Sequence, residues 1–223
     1  DNPTHRVPVM TYGILVVNVV AFLYAKLLGS TGFGAATSSW GTIPFEITHG
    51  VDAISPTPFP VYATLVTSMF MHAGWMHIGL NMLYLWVFAN NVEDVLGRVR
   101  FLVFYLLCGV ASACAQVLAD PESTIPLVGA SGAVAGALGA YLVAFPGASV
   151  HVLVPIFFFI RIVPVPAVVV LLMWFGFQLL NVWLDQGGAG GGVAWYAHIG
   201  GFVAGYLMMR IGMPPNRRRR VET

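Results

Sequence analysis

Four polar side chains stand where an otherwise apolar sequence has no ordinary use for them: Ser131 in PLVGASGAVAGALGA, His198 in WYAHIGGFVAGYL, and His77 with Asn81 in HIGLN. A neutral imidazole within hydrogen-bond reach of a serine hydroxyl accepts its proton as the oxygen attacks a carbonyl, and later returns it to the leaving amine. Acyl transfer also needs donors for the oxyanion that develops. His77 and Asn81 are four apart and share one face of a helix, so both can point at such an oxygen. The backbone N–H of Ser131, near a helix start, adds a third donor. Read singly, each residue has a plainer role. A membrane serine satisfies itself on its own helix backbone, and an asparagine can simply join two helices by a hydrogen bond. The surroundings favour the chemical reading. Gly129, Ala130, Gly132 and Ala133 crowd small groups around the hydroxyl, and His198 precedes Gly201 and Gly205.

Composition says what carries these residues. Of 223 residues, 58% are hydrophobic and only 9% charged, against roughly 25% charged in a soluble domain. So few charges cannot cover a soluble monomer, and disorder needs the opposite composition. A net charge of +1 excludes nucleic-acid binding driven by bulk charge. The stretches free of Asp, Glu, Lys and Arg are 7–25, 53–92, 101–119, 123–160, 162–184 and 186–209. About 20 apolar residues span a bilayer as a helix, and the ten-residue alternation of barrel strands is absent. The expected fold is therefore all-α: a polytopic membrane protein of six transmembrane helices at 8–28, 75–92, 100–119, 127–146, 164–184 and 193–213. Residues 61–72 form a short segment leading into the second span. Residues 151–166, interrupted by Pro155, Pro164 and Pro166, form a loop packed at the membrane surface. A seven-span count is the main rival.

With six spans the two termini share a side. Arg6, Arg98, Arg100, Arg161, Arg210 and Arg217 to Arg220 fall there, and Lys26 alone lies near the other. That asymmetry puts both termini in the cytoplasm, and the run Arg217–Arg220 reads first as a topology signal. The domains are then a cytoplasmic segment 1–7, a six-helix domain 8–213 and a basic tail 214–223. The first seven residues carry no cleavable signal pattern, so the first span stays as an anchor. The expected location is a bacterial inner membrane.

The pairs Gly132/Gly136 and Gly201/Gly205 let helix backbones approach closely. If spans four and six pack through them, Ser131 and His198 meet at matching depth, roughly 6–8 Å below the outer surface at 1.5 Å per residue. No carboxylate lies at that depth, so packing orients the imidazole, with Asn181 and Asp185 as remote candidates to help. A metal is not expected: His72, His77 and His198 form no His-Glu-x-x-His pattern, and no cofactor is called for. Cys108 and Cys114 are six apart on one helix, beyond disulfide reach, and read as small packing groups.

Together these residues resemble the rhomboid family of intramembrane serine proteases. Gly129-Ala130-Ser131-Gly132 resembles its nucleophile motif, Ala197-His198-Ile199-Gly200-Gly201 its histidine motif, and His77-x-x-x-Asn81, with His72 before it, its second-span motif. Asn90, Asn91, Glu93, Gly97, Phe101, Leu102, Tyr105 and Leu106 resemble the stretch joining spans two and three. The resemblance covers roughly residues 8–213. It implies a six-helix core and cleavage of single-pass or polytopic membrane proteins within the lipid bilayer near its outer surface. It further implies Ser131 as nucleophile, His198 as general base, and His77, Asn81 and the Ser131 amide around the oxyanion. Glu93 would tie the outer-loop and span-two region, or the turn after it. Two features depart from the family pattern: no Arg accompanies Trp40 in residues 30–60, and Ala135 stands where some members carry an aromatic that stacks on the base.

A substrate helix has to unwind to expose its scissile bond, and the small groups beside Ser131 suggest a tight subsite for small side chains. The glycine-rich loop 187–192, with span five, is expected to move as a gate. The rivals are a non-proteolytic rhomboid-like protein that binds membrane clients, which should lack Ser131 or His198, and a small transporter. The latter lacks a mid-membrane acid and a visible inverted repeat.

Overall fold

The structure is a computed structural model and describes residues 4–156, 158–184 and 194–212. The expected gate loop 187–192, Asp185 and Arg217–Arg220 lie outside the described residues.

The first helix, α1 (Val9–Leu27), starts immediately after Pro8 and has no side-chain cap of its own. The cap comes from far along the chain. Glu93 is 2% exposed, and its carboxylate accepts the N–H groups of Met10 (3.0 Å) and Thr11 (2.7 Å) and the Thr11 hydroxyl (2.8 Å). A carboxylate on the unpaired amides of a helix start satisfies both hydrogen bonding and the helix dipole. Glu93, at the end of the helix expected as the second span, therefore ties that helix to the beginning of α1, and not to the outer loop, which was one of the places the resemblance implied.

Residues 28–60 have more structure than a plain loop. They hold α2 (Gly29–Trp40) and α3 (Pro44–His49). Buried Glu46 fixes the turn that follows, its Oε1 accepting the amides of Ala53, Ile54 and Ser55 at 3.0, 2.7 and 3.2 Å. The short segment expected at 61–72 is a single α-turn, α4 (Thr64–Thr67), flanked by 3-10 turns.

The second span is longer than expected. α5 (Trp75–Tyr84) passes through a π-turn (Leu85–Ala89) into α6 (Asn90–Leu96). Gly97, at φ 80°, then reverses the chain in one residue into α7 (Arg98–Ala119).

The helix expected as the fourth span is shorter: α8 covers Ser131–Ala144, not 127–146. Leu127 is held extended by reciprocal backbone hydrogen bonds with Thr42 (3.0 and 2.8 Å), which delays the helix until Gly129 has turned the chain at φ 123°. Pro146 ends it, since a residue before proline disfavours the helical region. At 1.5 Å per residue α8 is only about 21 Å long.

The expected loop at 151–166 is an antiparallel hairpin, so the chain is not all-α. β1 (Ser149–Ile156) pairs with β2 (Phe159–Pro166) from Ser149↔Pro166 to Ile156↔Phe159. Val150, Val152, Val154, Ile160, Ile162, Val163 and Val165 are strand formers. The prolines argued against a strand in the sequence, but a two-stranded ribbon has an unpaired edge on each strand, where proline is tolerated. The fifth span accordingly starts after Pro166, as α9 (Ala167–Leu184), and the last is α10 (Trp195–Gly212).

Among the described residues, three helices are long and apolar enough to cross a membrane: α1, α7 and α9. The core lies instead around α8, where 11 of 14 residues are buried, the reverse of a lipid-facing rod. A Cβ on Gly201 would overlap the Gly132 carbonyl, and one on Gly205 the Gly136 carbonyl. Because 132 meets 201 and 136 meets 205, α8 and α10 run parallel. Gly139 continues the seam against the Phe202 carbonyl, while Ser112 and Cys108 of α7 close on Gly132 and Gly136. Cys108 is a buried packing group, and both cysteines are free. α9 differs: only Ala167, Leu171 and Gln178 are buried.

Candidate active site

Ser131 is the first residue of α8. It stands at the helix start, not four residues in as the span boundaries suggested. Its amide belongs to the first turn, whose N–H groups have no partner within the helix. His198 lies one turn into α10. The parallel glycine seam brings the two together, with Ser131 Oγ 2.9 Å from His198 Nε2.

Gly129 has two separate reasons to be glycine. Its φ of 123° lies where side chains are rarely tolerated. A Cβ there would also come within 2.7 Å of His77 Nε2 and 3.6 Å of Ser131 Oγ. His77 Nε2 and the hydroxyl thus border one small space. His77 Nδ1 accepts the Ala73 amide at 3.4 Å, so the ring's proton sits on Nε2, facing that space. Asn81 is buried on the same face, and its Nδ2 donates to the His77 carbonyl at 2.9 Å. That bond is to its own helix and uses one of its two amide hydrogens.

His72 sits behind Ser131. Its Nε2 accepts the Ala130 amide at 3.4 Å, next to the Gly129 amide that donates to the Ser68 carbonyl at 2.9 Å. Its ring meets that of His77 edge-on at 5.2 Å. Burial, and then the neighbouring His77, push its pKa down to about 3, so it is a neutral acceptor that buttresses residues 129–130. Among the described residues no group of three His, Cys, Asp or Glu side chains is arranged to hold a metal ion.

The imidazole of His198 has a partner that the sequence reading did not single out. Its Nδ1 lies 2.8 Å from Gln178 Oε1 on α9. Asn181, one of the two expected helpers, instead donates to the Phe177 carbonyl at 2.6 Å. Gln178 was legible only as an uncharged polar group inside AVVVLLMWFGFQLLNVWL, costly in hydrocarbon without a partner. With Ala135 in place of an aromatic, two tryptophans approach the imidazole without stacking on it, one tilted and one edge-on. Trp174 of α9 lies 5.9 Å from the His198 ring and Trp195 of α10 lies 6.2 Å from it.

The chain is similar to known proteins of one family. A family model described as Rhomboid domain matches residues 60–215. The chain is 28% identical over 211 residues to Rhomboid protease GluP of Bacillus subtilis, an alignment covering 93% of this chain and 36% of that protein. It is 31% identical over 150 residues to the mitochondrial Rhomboid protein 1 of Saccharomyces cerevisiae, covering 65% and 40%. It is 36% identical over 78 residues to the Putative rhomboid protease YdcA of Bacillus subtilis, covering 35% and 39%. The chain thus spans two fifths or less of the length of these relatives.

Proposed function

The chain belongs to the rhomboid family, and from that membership we propose that it is an intramembrane serine endopeptidase working through Ser131 and His198. The observation that carries the proposal is the 2.9 Å contact between Ser131 Oγ and His198 Nε2. His198 takes the hydroxyl proton as Oγ attacks the scissile carbonyl carbon. The resulting oxyanion is met by the Ser131 amide, the Nε2–H of His77 and the second amide hydrogen of Asn81. These donors are held before the charge develops, which is what makes them effective in a dry site. Collapse of the tetrahedral intermediate expels the amine, protonated by His198, and leaves an acyl-enzyme. Water, deprotonated by the same imidazole, releases the acid and restores the hydroxyl.

In this reading the bilayer is crossed six times: by α1, the continuous α5–α6 rod, α7, α8, α9 and α10. The 8–213 domain then has both termini in the cytoplasm and the dyad toward the outer face of a bacterial inner membrane. The basic residues Arg6, Arg98, Arg100, Arg161 and Arg210 support that orientation. Substrates are single-pass or polytopic membrane proteins. Their helices hide scissile carbonyls in i to i−4 bonds, so segments that unwind readily, with small side chains at the cut, fit best beside Gly129.

The test is covalent labelling by a fluorophosphonate alongside cleavage of a transmembrane substrate. Wild type should label and cleave, while Ser131→Ala and His198→Ala should do neither yet remain folded. Cleavage surviving in Ser131→Ala would refute the proposal.

A further inference from the structure

We infer that Gln178 is the positioning residue for His198, fixing its imidazole in the Nδ1–H tautomer and so presenting the Nε2 lone pair to Ser131. The inference rests on the serine-protease reading and extends it to a residue on a third helix. An amide has a donor end and an acceptor end, and here the two are told apart by what each meets. Nε2 of Gln178 donates to the Trp174 carbonyl at 3.2 Å, one turn back on the same helix. Oε1 therefore faces His198 Nδ1, at 2.8 Å. An amide oxygen only accepts, so Nδ1 carries the ring proton and Nε2 is bare. The other tautomer would set the Nδ1 lone pair against the Oε1 lone pairs and would leave a general base with no free site for the hydroxyl proton.

Burial gives this bond its weight. Gln178 is 3% exposed, and an amide at that depth is costly without partners. Both of its ends are satisfied in the one orientation described. An uncharged acceptor also suits the place. It orients the ring without a buried carboxylate, whose desolvation would have to be recovered from the ion pair. Trp174 adds a second restraint, because the residue that anchors the Gln178 amide through its carbonyl also lays its indole near the imidazole. The other titratable group bordering Ser131 is His77, which serves the oxyanion side of the site.

The experiment uses the full chain reconstituted in lipid, with Gln178→Leu and Gln178→Met as two apolar replacements of similar size and Gln178→Glu as the variant that keeps an acceptor. The kcat and KM for a transmembrane substrate, the fluorophosphonate labelling rate and the 15N NMR tautomer signature of His198 are measured. The apolar variants should lose about 10- to 100-fold in kcat and in labelling rate, the scale of a misplaced catalytic group. KM should stay within about twofold, as for an interaction felt only in the transition state. The NMR signal should change from Nδ1-protonated to a mixture of tautomers, and Gln178→Glu should keep most of the wild-type rate. A folded Leu or Met variant with wild-type kcat, or with the wild-type tautomer signal, overturns the inference. If wild type neither labels nor cleaves, the protease reading fails, and the tautomer signal alone then decides whether Gln178 positions the ring.

Discussion

His198 is held from two sides by seams of opposite character. Toward α8 the contact is between backbones. Gly201 and Gly205 lie on the carbonyls of Gly132 and Gly136 with no space for a methyl group, and α8 is buried along almost its whole length. Toward α9 the contact is between side chains. Only 17% of the α9 span is buried, against 44% for α7, and Gln178 and Trp174 reach the imidazole from a helix that otherwise faces outward. The distance between Ser131 and His198 is thus set by parts that cannot shift without breaking the fold. The orientation of the imidazole is set by side chains on a helix with few buried residues. A movement of α9 would disconnect Gln178 from His198 while leaving Ser131 and His198 side by side. Backbone-level fixation gives position, and a side-chain hydrogen bond gives direction.

The harshest way to break that contrast is to add bulk on the α8 side. Gly201→Val and Gly205→Val push side chains into carbonyl oxygens, and overpacking of a tight seam costs typically 1–3 kcal/mol or more. Both variants should lose fluorophosphonate labelling and show a clearly lowered thermal midpoint in detergent. A folded, labelled Gly205→Val protein would mean that the seam is not what sets the dyad. A smaller effect is expected one helix away, at α5. Asn81→Ala should leave the fold and KM intact but lower kcat about 10- to 10³-fold, the range for one lost oxyanion donor. An unchanged kcat would confine Asn81 to its bond with the His77 carbonyl. The least effect belongs to the outward side of α9. Leu172→Ala, at a half-exposed position, should alter the thermal midpoint and kcat little, within about 0.5 kcal/mol. A large loss there would show that α9 is held as firmly as α8.

The membrane character, the approximate places of α1, α7, α9 and α10, and the candidacy of Ser131, His198, His77 and Asn81 could be read along the chain. Each depends on local composition or on a motif of a few residues. What escaped the reading was set by contacts between distant segments. Gly129 and Leu127 delay the start of α8 only because Thr42, some 85 residues earlier, pairs with Leu127. Glu93 caps α1 across a separation of 82 residues. The strand preference at 149–166 was masked by prolines that matter little in a ribbon whose strands each have an open edge. Gln178 went unnoticed because its partner His198 is 20 residues away on another helix.

The sequence by itself singled out Ser131, His198, His77 and Asn81 as the residue types suited to the proposed chemistry, and glycines at 132, 136, 201 and 205 as places where two helices can touch. Residue type fixes a side chain's reactivity and its bulk, and both are local properties. Only the tertiary structure decided that α8 and α10 run parallel, that the hydroxyl meets Nε2, and that Gln178 faces Nδ1. A hydrogen bond depends on distances and angles to within a few tenths of an ångström, and those are set by the packing of whole helices.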